Sequence, residues 1–346
     1  MSVLPVTPLG RVTLKQGGGG RAMRALIERL FVREFAAMPF DGVGLGAMDD
    51  GAAIPFGDEW LVITTDSHVV HPIFFPGGDI GRISISGTIN DLAMMGATRV
   101  LGLTCGVILE EGFEMDQLEA IQKSIVATCI EAGTVIVTGD TKVMGRGEID
   151  RIAINTTGIG VAKRVIRDNS LRAGDRLIVT GTIGDHGLAV MAARHGLELD
   201  GDLRSDVAPI GRLIESVMTE AAEAITAMKD PTRGGLSSAL HEMAAKSGVG
   251  VVLEEATLPI TDAVRSAGEI LGIDPLHVAN EGKAVMGVRA GDAERVLEIL
   301  RRHPLGRDAA IIGTCITDRP GSLILDTGFG RRLVAEPEGE PLPRIC

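Results

Sequence analysis

The sequence predicts an α/β protein with two domains and an extended C-terminal tail, and three observations support this. A chain of 346 residues is too long for one ordinary hydrophobic core. Apolar runs of strand length alternate with amphipathic stretches of helix length from about residue 22 to residue 333. A polar segment, AKRVIRDNSLRAGD, separates two such series. We therefore expect an N-terminal domain at 1–160, a C-terminal domain at 161–334 and a tail at 335–346.

The N-terminal domain is predicted to alternate strands and helices. In chain order we expect a short strand RVTL (11–14), a helix at 22–35, a loop rich in Gly and Asp, a strand at 60–65, a helix at 79–95, a strand at 100–107, a helix at 115–132, and strands at 134–137 and 153–161. Gly133 should end the helix before it, because glycine readily adopts the left-handed conformation found at helix C-termini.

The C-terminal domain should begin with a strand, a turn and a helix, as the segment RLIVTGTIGDHG indicates. Alternating helices and strands continue to about Leu333. The last residues, AEPEGEPLPRIC, are rich in Pro and Glu and lack an apolar period. That composition favours an extended and mobile segment.

Composition argues against several classes of protein. The net charge is −12, with one Trp and no Tyr, whereas nucleic-acid binding rests on phosphate neutralisation and base stacking. The N-terminus lacks a signal-peptide pattern, and no apolar run approaches the ~20 residues of a membrane span. The cysteines show no zinc spacing, and Cys105, Cys129 and Cys315 lie in apolar patterns typical of a core. We expect a cytoplasmic protein without nucleic-acid or membrane partners.

Four glycines, Gly17, Gly18, Gly19 and Gly20, precede the first predicted helix. Backbone N–H groups of such a loop can approach phosphate oxygens, and the N-terminus of a following helix adds a favourable field. The spacing is neither that of a Walker A loop nor that of a Rossmann fingerprint. The pattern is compatible with a nucleotide site and with a flexible N-terminal loop.

Five aspartates occupy similar contexts beside Gly and Thr, and each is expected at a strand end or a helix start. They are Asp50, Asp66, Asp91, Asp140 and Asp230. A single Asp of this kind usually belongs to a turn or a cap. Five together are better explained by Mg²⁺, which prefers oxygen ligands and commonly bridges carboxylates to phosphates.

Two further features carry reactive groups. The segment ANEGK (279–283) and Lys142 offer a base and a charge stabiliser for a triphosphate, or else ordinary surface turns. Cys346 ends the sequence outside any prenylation motif. Residues 336–346 would span on the order of 35 Å if extended. The thiol is therefore either unused or presented on an arm to a site elsewhere.

A set of motifs extends from about Val12 to Cys346, and in order they are GGGGRAM, TTDS, FFPGGDIG, NDLAMMGA, VTGDTKV, GTIGDHG, DPTRGG, ANEGK and PRIC. Together they resemble the HypE family of hydrogenase maturation proteins. TTD, NDLA and GDT are shared with the wider aminoimidazole ribonucleotide synthetase superfamily, whereas DPTRGG, ANEGK and PRIC distinguish this family. The resemblance implies a homodimer whose N-terminal sheets pair into a barrel, a C-terminal α/β domain, and ATP in the cleft.

The resemblance also implies a reaction. In the family, HypF transfers a carbamoyl group to the terminal cysteine, ATP-dependent dehydration converts the thiocarbamate to a thiocyanate, and the cyano group passes to iron on a HypC–HypD complex of [NiFe]-hydrogenase assembly. Cys346 would then be the acceptor, with Glu281 as base and Lys142 orienting it or stabilising charge. Mg²⁺ would be held by the five aspartates. Nucleotide contacts would come from the four glycines, Asp66, Asn90, Thr141 and Arg233.

The chain also departs from the family pattern, and two alternatives remain open. Gln16 stands where the family often has His, and His186 in GTIGDHG is expected only to begin a helix. One alternative is a small-molecule phosphotransferase such as selenophosphate synthetase, which uses a Cys or selenocysteine near its N-terminus, although no Cys here precedes Cys105. The other is a carrier protein that binds nucleotide only for regulation, against which the aspartates argue.

Overall fold

The computed structural model describes residues 11–17, 19–197, 202–337 and 345–346. Up to residue 162, the described chain forms a five-stranded sheet, a short hairpin and the helices packed on them. The elements are α1 (Gly20–Ile27), α2 (Arg33–Phe35), β1 (Ala52–Phe56), β2 (Glu59–His68), β3 (Phe74–Phe75), β4 (Gly78–Asp79), α3 (Ile80–Met94), β5 (Arg99–Glu110), α4 (Met115–Ala132), β6 (Ile136–Met144) and β7 (Ile152–Ala162).

The first sheet has the strand order β1-β2-β7-β5-β6. Adjacent strands are antiparallel except for the parallel pair β5–β6. Helix α3 packs against β2 and β7, and α4 packs beside α3. A surface helix normally has one apolar stripe, but almost every residue of α3 is buried. The sheet covers one side of α3 and the second domain covers another, so α3 lies at the centre of the molecule.

Most predicted elements of this domain are confirmed, and three predictions are corrected. Helix α4 spans the predicted 115–132, and Gly133 follows it with φ +71°. The segment RVTL is not a strand, because its end begins a 3₁₀ turn at Leu14–Gln16. The predicted loop contains β1, which pairs with β2. Strand β6 runs to Met144 instead of ending at 137, because it pairs with β5 along this whole length.

The second domain is a seven-stranded sheet with helices on both faces. Its elements are β8 (Arg176–Val179), α5 (Asp185–Arg194), α6 (Gly211–Ala221), β9 (Ile225–Lys229), α7 (Gly235–Ser247), β10 (Gly250–Glu254), α8 (Asp262–Leu271), β11 (Val285–Val288), α9 (Ala293–Arg302), β12 (Ala310–Ile316), β13 (Leu323–Asp326) and β14 (Arg331–Val334). The strand order is β14-β13-β10-β12-β8-β11-β9.

The two faces of this sheet follow from the alternation of side chains along its strands. Ile178 of β8 packs in a cluster with α6 and α9, whereas Leu177 and Val179 pack with α7 on the other face. The predicted strand, turn and helix at the start of this domain are confirmed as β8 and α5. Across the described ranges, no helix is both long and apolar enough to cross a membrane.

Candidate active site

A cleft of about 430 Å³ lies where the two domains meet. Its walls come from the start of α1, from β2 and the last turn of α3, and from the loop after β9 with the first turns of α7. Cys346 closes one side. Clefts between domains are frequent ligand sites, and this one joins segments that are far apart in the sequence.

Besides Asp49, Asp50 and Glu242, which have basic partners, four carboxyl groups from four different segments line this cleft. We call these four, Asp66, Asp91, Asp230 and Glu281, the acidic cluster. Asp66 lies in β2, Asp230 directly follows β9, and Glu281 lies in the loop before β11. Asp91 lies in the last turn of α3, so its expected position at a helix start is wrong. The hydroxyl of Thr64 donates to Asp91 Oδ2 over 2.8 Å. The fold therefore brings these four side chains together.

The acidic cluster carries more negative charge than its surroundings compensate. Burial, and then repulsion from Asp230, Asp66 and Asp50, raise the pKa of Asp91 well above its ordinary value. Burial and the charge of Asp50 raise the pKa of Asp230 to about 8. Burial, followed by Asp66 and Asp230, raises the pKa of Glu281 well above its ordinary value. A cluster of this kind gains stability by taking up protons or a cation.

Glu281 is held by its main chain while its carboxyl group stays available. Its N–H donates to Asp206 Oδ1 over 3.1 Å, and its carbonyl oxygen accepts from Asn90 Nδ2 over 3.0 Å. The residue is 3% exposed, and Oε1 has no hydrogen-bond partner in the described part of the chain. Buried polar atoms are rarely left without a partner. We therefore regard this carboxyl group as the one that meets a ligand or a proton.

Beside the acidic cluster lies a second group of charges, in which acids and bases are paired. We call it the salt-bridge network, and it comprises Asp49, Asp50, Arg167, Asp168, Lys229 and Lys246. Lys229 Nζ lies 2.5 Å from Asp50 Oδ1, and Lys246 Nζ lies 2.6 Å from Asp168 Oδ2. Burial opposes the charge of Lys229, but the carboxylates of Asp50, Glu242 and Asp168 outweigh it and raise its pKa. The network ties the segment before β1 to the second domain.

The start of α1 forms another wall of the cleft. Gly19 and Gly20 line it, and Gly19 has φ +78°. A Cβ at Gly19 would lie 2.8 Å from the Cβ of Arg233, which also lines the cleft, so only glycine allows this close approach. N–H groups at a helix start suit a phosphate. Gly17 is exposed in a turn outside the cleft, and Gly18 lies outside the described residues.

The end of the sequence reaches the same cleft. Cys346 lines it, and Ile345 beside it is 1% exposed. The carbonyl oxygen of Ile345 lies 2.7 Å from Nε2 of His186. His186 lies in the first turn of α5, but the expectation that it only begins a helix is wrong, because its ring also contacts the tail. Residues 338–344 lie outside the described residues, so mobility of the tail stays a prediction.

Three predicted site residues lie on β6, away from this cleft. Asp140, Thr141 and Lys142 are exposed in the middle of that strand, not beyond its end as expected. Strands β5 and β7 separate β6 from β2. About 14 Å of sheet therefore lies between these residues and Asp66 of the same chain. The structure does not bring them to the cleft of their own chain.

Asn90 was predicted to contact nucleotide, but its side chain makes hydrogen bonds to main-chain groups of the second domain instead. Its Nδ2 donates to the carbonyl oxygens of Ala208 and Glu281, over 3.1 and 3.0 Å. Its Oδ1 accepts from the N–H of Ile210 over 2.8 Å. The side chain is buried and does not line the cleft. Asn90 therefore joins α3 to the second domain and holds the main chain of Glu281.

The acidic cluster fits Mg²⁺ in its chemistry. Its oxygen atoms are the donors that this ion prefers, and its raised pKa values reflect charge that a cation would offset. Among the described residues, no group of three or more His, Cys, Asp or Glu side chains is arranged as a metal site. Asp50 is engaged by Lys229, and Asp140 is remote. Of the other predicted metal residues, Asp66, Asp91 and Asp230 line the cleft together, and their binding of Mg²⁺ stays a prediction.

Several residues beside this cleft were not among the predicted site residues. Lys229 directly precedes Asp230 and ends an otherwise apolar strand, ITAMK, which was a usable signal for a buried lysine. Asp49 adjoins Asp50 and was a second signal. His68 is fully buried behind Asp66, with Nε2 at 3.5 Å from Asp66 Oδ2, and burial lowers its pKa. Nothing in the sequence indicated that His68 is buried beside Asp66.

Comparisons with known proteins give a consistent result. Family models described as AIR synthase related protein, N-terminal domain and C-terminal domain, match residues 48–162 and 172–326. A putative hydrogenase expression/formation protein of Methanocaldococcus jannaschii is 50% identical, over 97% of this chain and 100% of that relative. Carbamoyl dehydratase HypE of Azotobacter vinelandii is 45% identical, over 97% of this chain and 98% of that relative.

Solved structures are similar over nearly the same length. A crystal structure of a HypE–HypF complex matches with a TM-score of 0.82 and 45% identity, over 89% of this chain and 100% of that one. A structure of hydrogenase maturation protein HypE in complex with ATP matches with a TM-score of 0.80 and 41% identity, over 96% of this chain and 99% of that one.

Proposed function

Because the chain belongs to the AIR synthase related family, and within it to the HypE proteins, we propose that it is an ATP-dependent carbamoyl dehydratase. Its substrate is an S-carbamoyl group on its own Cys346, and its product is the thiocyanate on the same sulfur. The product supplies the cyanide ligand of [NiFe]-hydrogenase.

One observation carries this proposal. Cys346 and Glu281, whose Oε1 has no hydrogen-bond partner in the described part of the chain, line the same cleft as the three aspartates of the acidic cluster and the start of α1. A thiol on the tail, a base and a phosphate-binding helix start are the three parts that dehydration needs. The HypE relative with bound ATP supports the nucleotide.

The reaction divides into two balanced steps. First, the carbamoyl oxygen attacks the γ-phosphorus of ATP, the bond to the bridging oxygen breaks, and ADP leaves. Second, the C–O bond breaks, phosphate leaves with the oxygen, and the nitrogen loses two protons as the C≡N bond forms. Together, thiocarbamate and ATP give thiocyanate, ADP, phosphate and one proton. Phosphorylation is needed because the oxygen of an amide is otherwise a poor leaving group.

The described residues have distinct roles in these steps. Gly19, Gly20 and Arg233 bind the phosphates, and Glu281 accepts a proton from the carbamoyl nitrogen. Glu281 is 3% exposed, so little water competes for that proton. Phosphoryl transfer otherwise depends on positioning and charge neutralisation. Mg²⁺ held by Asp66, Asp91 and Asp230 would supply that neutralisation.

The proposed enzyme is a homodimer that pairs through β6. This strand is the edge of its sheet, and its Val137 and Val143 are 61% and 65% exposed. Ile130 on the neighbouring α4 is 71% exposed. Exposed apolar edges are normally covered. A second copy would cover this one, and Asp140, Thr141 and Lys142 would then serve the cleft of the other subunit.

The proposed partners follow from the same family membership. A HypF-type carbamoyltransferase loads Cys346, and the crystal structure of a HypE–HypF complex supports this partner. An iron-carrying complex of the HypC–HypD type accepts the cyano group. Cytoplasmic localisation stays a prediction.

Intact-mass spectrometry tests the function directly. The chain is carbamoylated by a HypF-type enzyme, and its mass is measured with and without Mg-ATP. We expect addition of one carbamoyl group, then loss of the mass of one water only when Mg-ATP is present. Cys346→Ala should bind Mg-ATP yet take up no carbamoyl group. A thiocyanate on the Cys346→Ala chain would exclude the assignment, and a chain that is loaded but never dehydrated would be a carrier only.

A further inference from the structure

His68 is the last residue of β2, and its imidazole ring is buried without polar partners. The residue is 1% exposed. Neither Nδ1 nor Nε2 has a hydrogen-bond partner in the described ranges. Burying a polar group in this way costs free energy, so such groups are uncommon unless they serve a purpose other than stability. The proposed reaction steps leave this ring without a role.

The position of His68 on β2 places it in a row with two residues of the cleft. Side chains two residues apart point to the same face of a strand, so Thr64, Asp66 and His68 share one face. Thr64 and His68 are buried and Asp66 is half-buried, whereas Thr65 and Ser67 between them are exposed. Helix α3 packs against this strand. The row is therefore the inner face of β2.

A glycine in the middle of α3 makes room for this row. A Cβ at Gly87 would lie 3.0 Å from Cε1 of His68 and 3.3 Å from Oδ2 of Asp66. Glycine is unfavourable inside a helix, because it loses more conformational freedom on folding than other residues. The close approach of the imidazole ring and the carboxyl group to the helix main chain explains why a glycine is present here.

The ring of His68 contacts Asp66 without yet forming a hydrogen bond. Nε2 lies 3.5 Å from Asp66 Oδ2, which is longer than the ~2.9 Å of a usual N–H···O hydrogen bond. Oδ1 of Asp66 accepts the N–H of Ser67 over 2.9 Å. The same row contains one completed bond of this type, since Thr64 Oγ1 donates to Asp91 Oδ2 over 2.8 Å. A small movement of either side chain would complete the second bond.

We propose that His68 is a positioning residue, which donates a hydrogen bond from Nε2 to Asp66 when Asp66 binds Mg²⁺ together with the nucleotide. This role rests on the proposed function, in which Asp66 is a metal ligand. A carboxylate that binds a cation can only accept, and Nε2–H can donate whether the ring is neutral or charged. Hydrogen bonds of this kind orient metal ligands, and their loss lowers metal affinity by roughly 10–100-fold. Thr64 acts on Asp91 in the same way.

The Mg²⁺ dependence of nucleotide binding tests this role without any carbamoyl chemistry. The full-length chain is titrated with Mg²⁺ in the presence of a fluorescent, non-hydrolysable ATP analogue, and the half-saturating Mg²⁺ concentration is measured. His68→Leu removes the donor and keeps a buried apolar side chain. It should raise the half-saturating concentration roughly 10–100-fold. An unchanged concentration in a folded His68→Leu chain would overturn the proposal.

Matched variants separate the hydrogen bond from the shape of the ring. Gln carries an amide N–H near the position of Nε2, whereas the shorter Asn reaches only the position of Nδ1. His68→Gln should therefore keep a half-saturating Mg²⁺ concentration close to the wild-type value, and His68→Asn should behave like His68→Leu. Gly87→Ala should also weaken Mg²⁺ binding, because its methyl group displaces the ring and the carboxyl group. His195→Ala, at an exposed position, should change nothing.

Stability separates positioning from a structural role. Leu in place of a buried ring without partners removes a desolvation cost, so the urea midpoint of His68→Leu should stay the same or rise. A structural role predicts the reverse, a lower midpoint with an unchanged half-saturating Mg²⁺ concentration, and that result would overturn the proposal. If His68→Leu does not fold, His68→Asn and Gly87→Ala decide the question.

The dehydration assay distinguishes failure of this proposal from failure of the proposed function. If Mg²⁺ binding responds as expected but the wild type never dehydrates its carbamoyl group, the role of His68 stands and the proposed function fails. If the wild type dehydrates and its nucleotide binding depends on Mg²⁺, but the variants match it, the role of His68 fails alone. If Mg²⁺ has no effect on nucleotide binding by the wild type, the metal assignment and the role of His68 fail together.

Discussion

The acidic cluster and the salt-bridge network lie side by side at the junction of the domains, and they compensate negative charge to different extents. In the salt-bridge network each carboxylate has a cation, as Asp50 has Lys229 at 2.5 Å and Asp168 has Lys246 at 2.6 Å, although burial and the hydrogen bond with Asp49 still raise the pKa of Asp168 to about 8. In the acidic cluster Asp91, Asp230 and Glu281 reinforce one another's raised pKa values.

The difference separates charges that maintain the fold from charges kept for a ligand. Breaking a buried ion pair leaves an uncompensated charge, so paired residues are needed for stability. A buried carboxyl group without a partner destabilises the protein, and it is retained where chemistry requires it. We therefore expect substitutions in the two groups to affect different measurements. The following predictions test this, from the largest expected effect to the smallest.

Glu281→Gln should reduce conversion of the carbamoyl group by about 10²–10⁴-fold, the usual contribution of general base catalysis. Loading of Cys346 should be unaffected, so intact mass would show the carbamoyl group without loss of water. The matched control is Glu242→Gln, a glutamate that lines the same cleft but lies 3.7 Å from Lys229. It should retain most of the activity. Conversion at the wild-type rate by Glu281→Gln would move the base to another residue.

Mixed dimers should show whether Lys142 acts across the subunit interface. Dimers of Lys142→Ala alone and of Glu281→Gln alone should both be inactive. Random mixing of the two should restore about a quarter of the wild-type activity, because half of the dimers then contain one site with both residues intact. If Lys142 serves its own chain, no mixture can regain activity. Subunit exchange is followed by native mass spectrometry.

Lys229→Met should lower the free energy of unfolding by about 3 kcal/mol, because it leaves Asp50 and Asp168 without their shared cation. Urea denaturation measures this change. The exposed pair Arg99–Glu59 provides the control, and Arg99→Ala should cost under about 1 kcal/mol. A loss below 1 kcal/mol in Lys229→Met would contradict a structural role for the network.

Asp185 belongs to neither group, and its pKa predicts that the free energy of unfolding depends on pH. Burial, and then Asp206, raise its pKa to about 6. Between about pH 4 and 6 the unfolded chain loses this proton while the folded chain keeps it, so stability from this group falls as pH rises. Asp185→Asn removes that fall. Relative to the wild type, it should gain roughly 1–3 kcal/mol in unfolding free energy between pH 4 and 7, and parallel stability curves would refute this.

The sequence predicted those elements whose signals all lie within one contiguous segment. The length of α4 and its end at Gly133 follow from periodicity and one glycine. Strand β1 was missed because AAIPF is short and contains Pro55, and only pairing with β2 makes it a strand. For β6, the polar segment GDTK suggested a turn, yet pairing with β5 extends the strand through it.

The acidic residues of the site could be predicted because they belong to sequence motifs. Contacts between residues far apart in the sequence could not be predicted, because they form only in the folded chain. Asp66, Asp91, Asp230 and Glu281 were each expected, and the fold brings them together. Sequence could not place Asp140 and Lys142 on an outer strand, because strand order is a property of the whole sheet. Nor could it connect His186 to Ile345, since no local pattern encodes a contact across 159 residues.

The position of Cys346 inside the cleft has a kinetic consequence. When reactant and catalyst belong to one chain, the step is first order, so its rate constant does not change on dilution. In the proposed reaction each thiol consumes one ATP, and the product then blocks its own site until another protein removes it. ADP should therefore appear as a burst of one equivalent per chain, and further release should depend only on the acceptor. Such a protein reacts once each time it is loaded, so the amount of product formed in each round is set by the number of protein molecules.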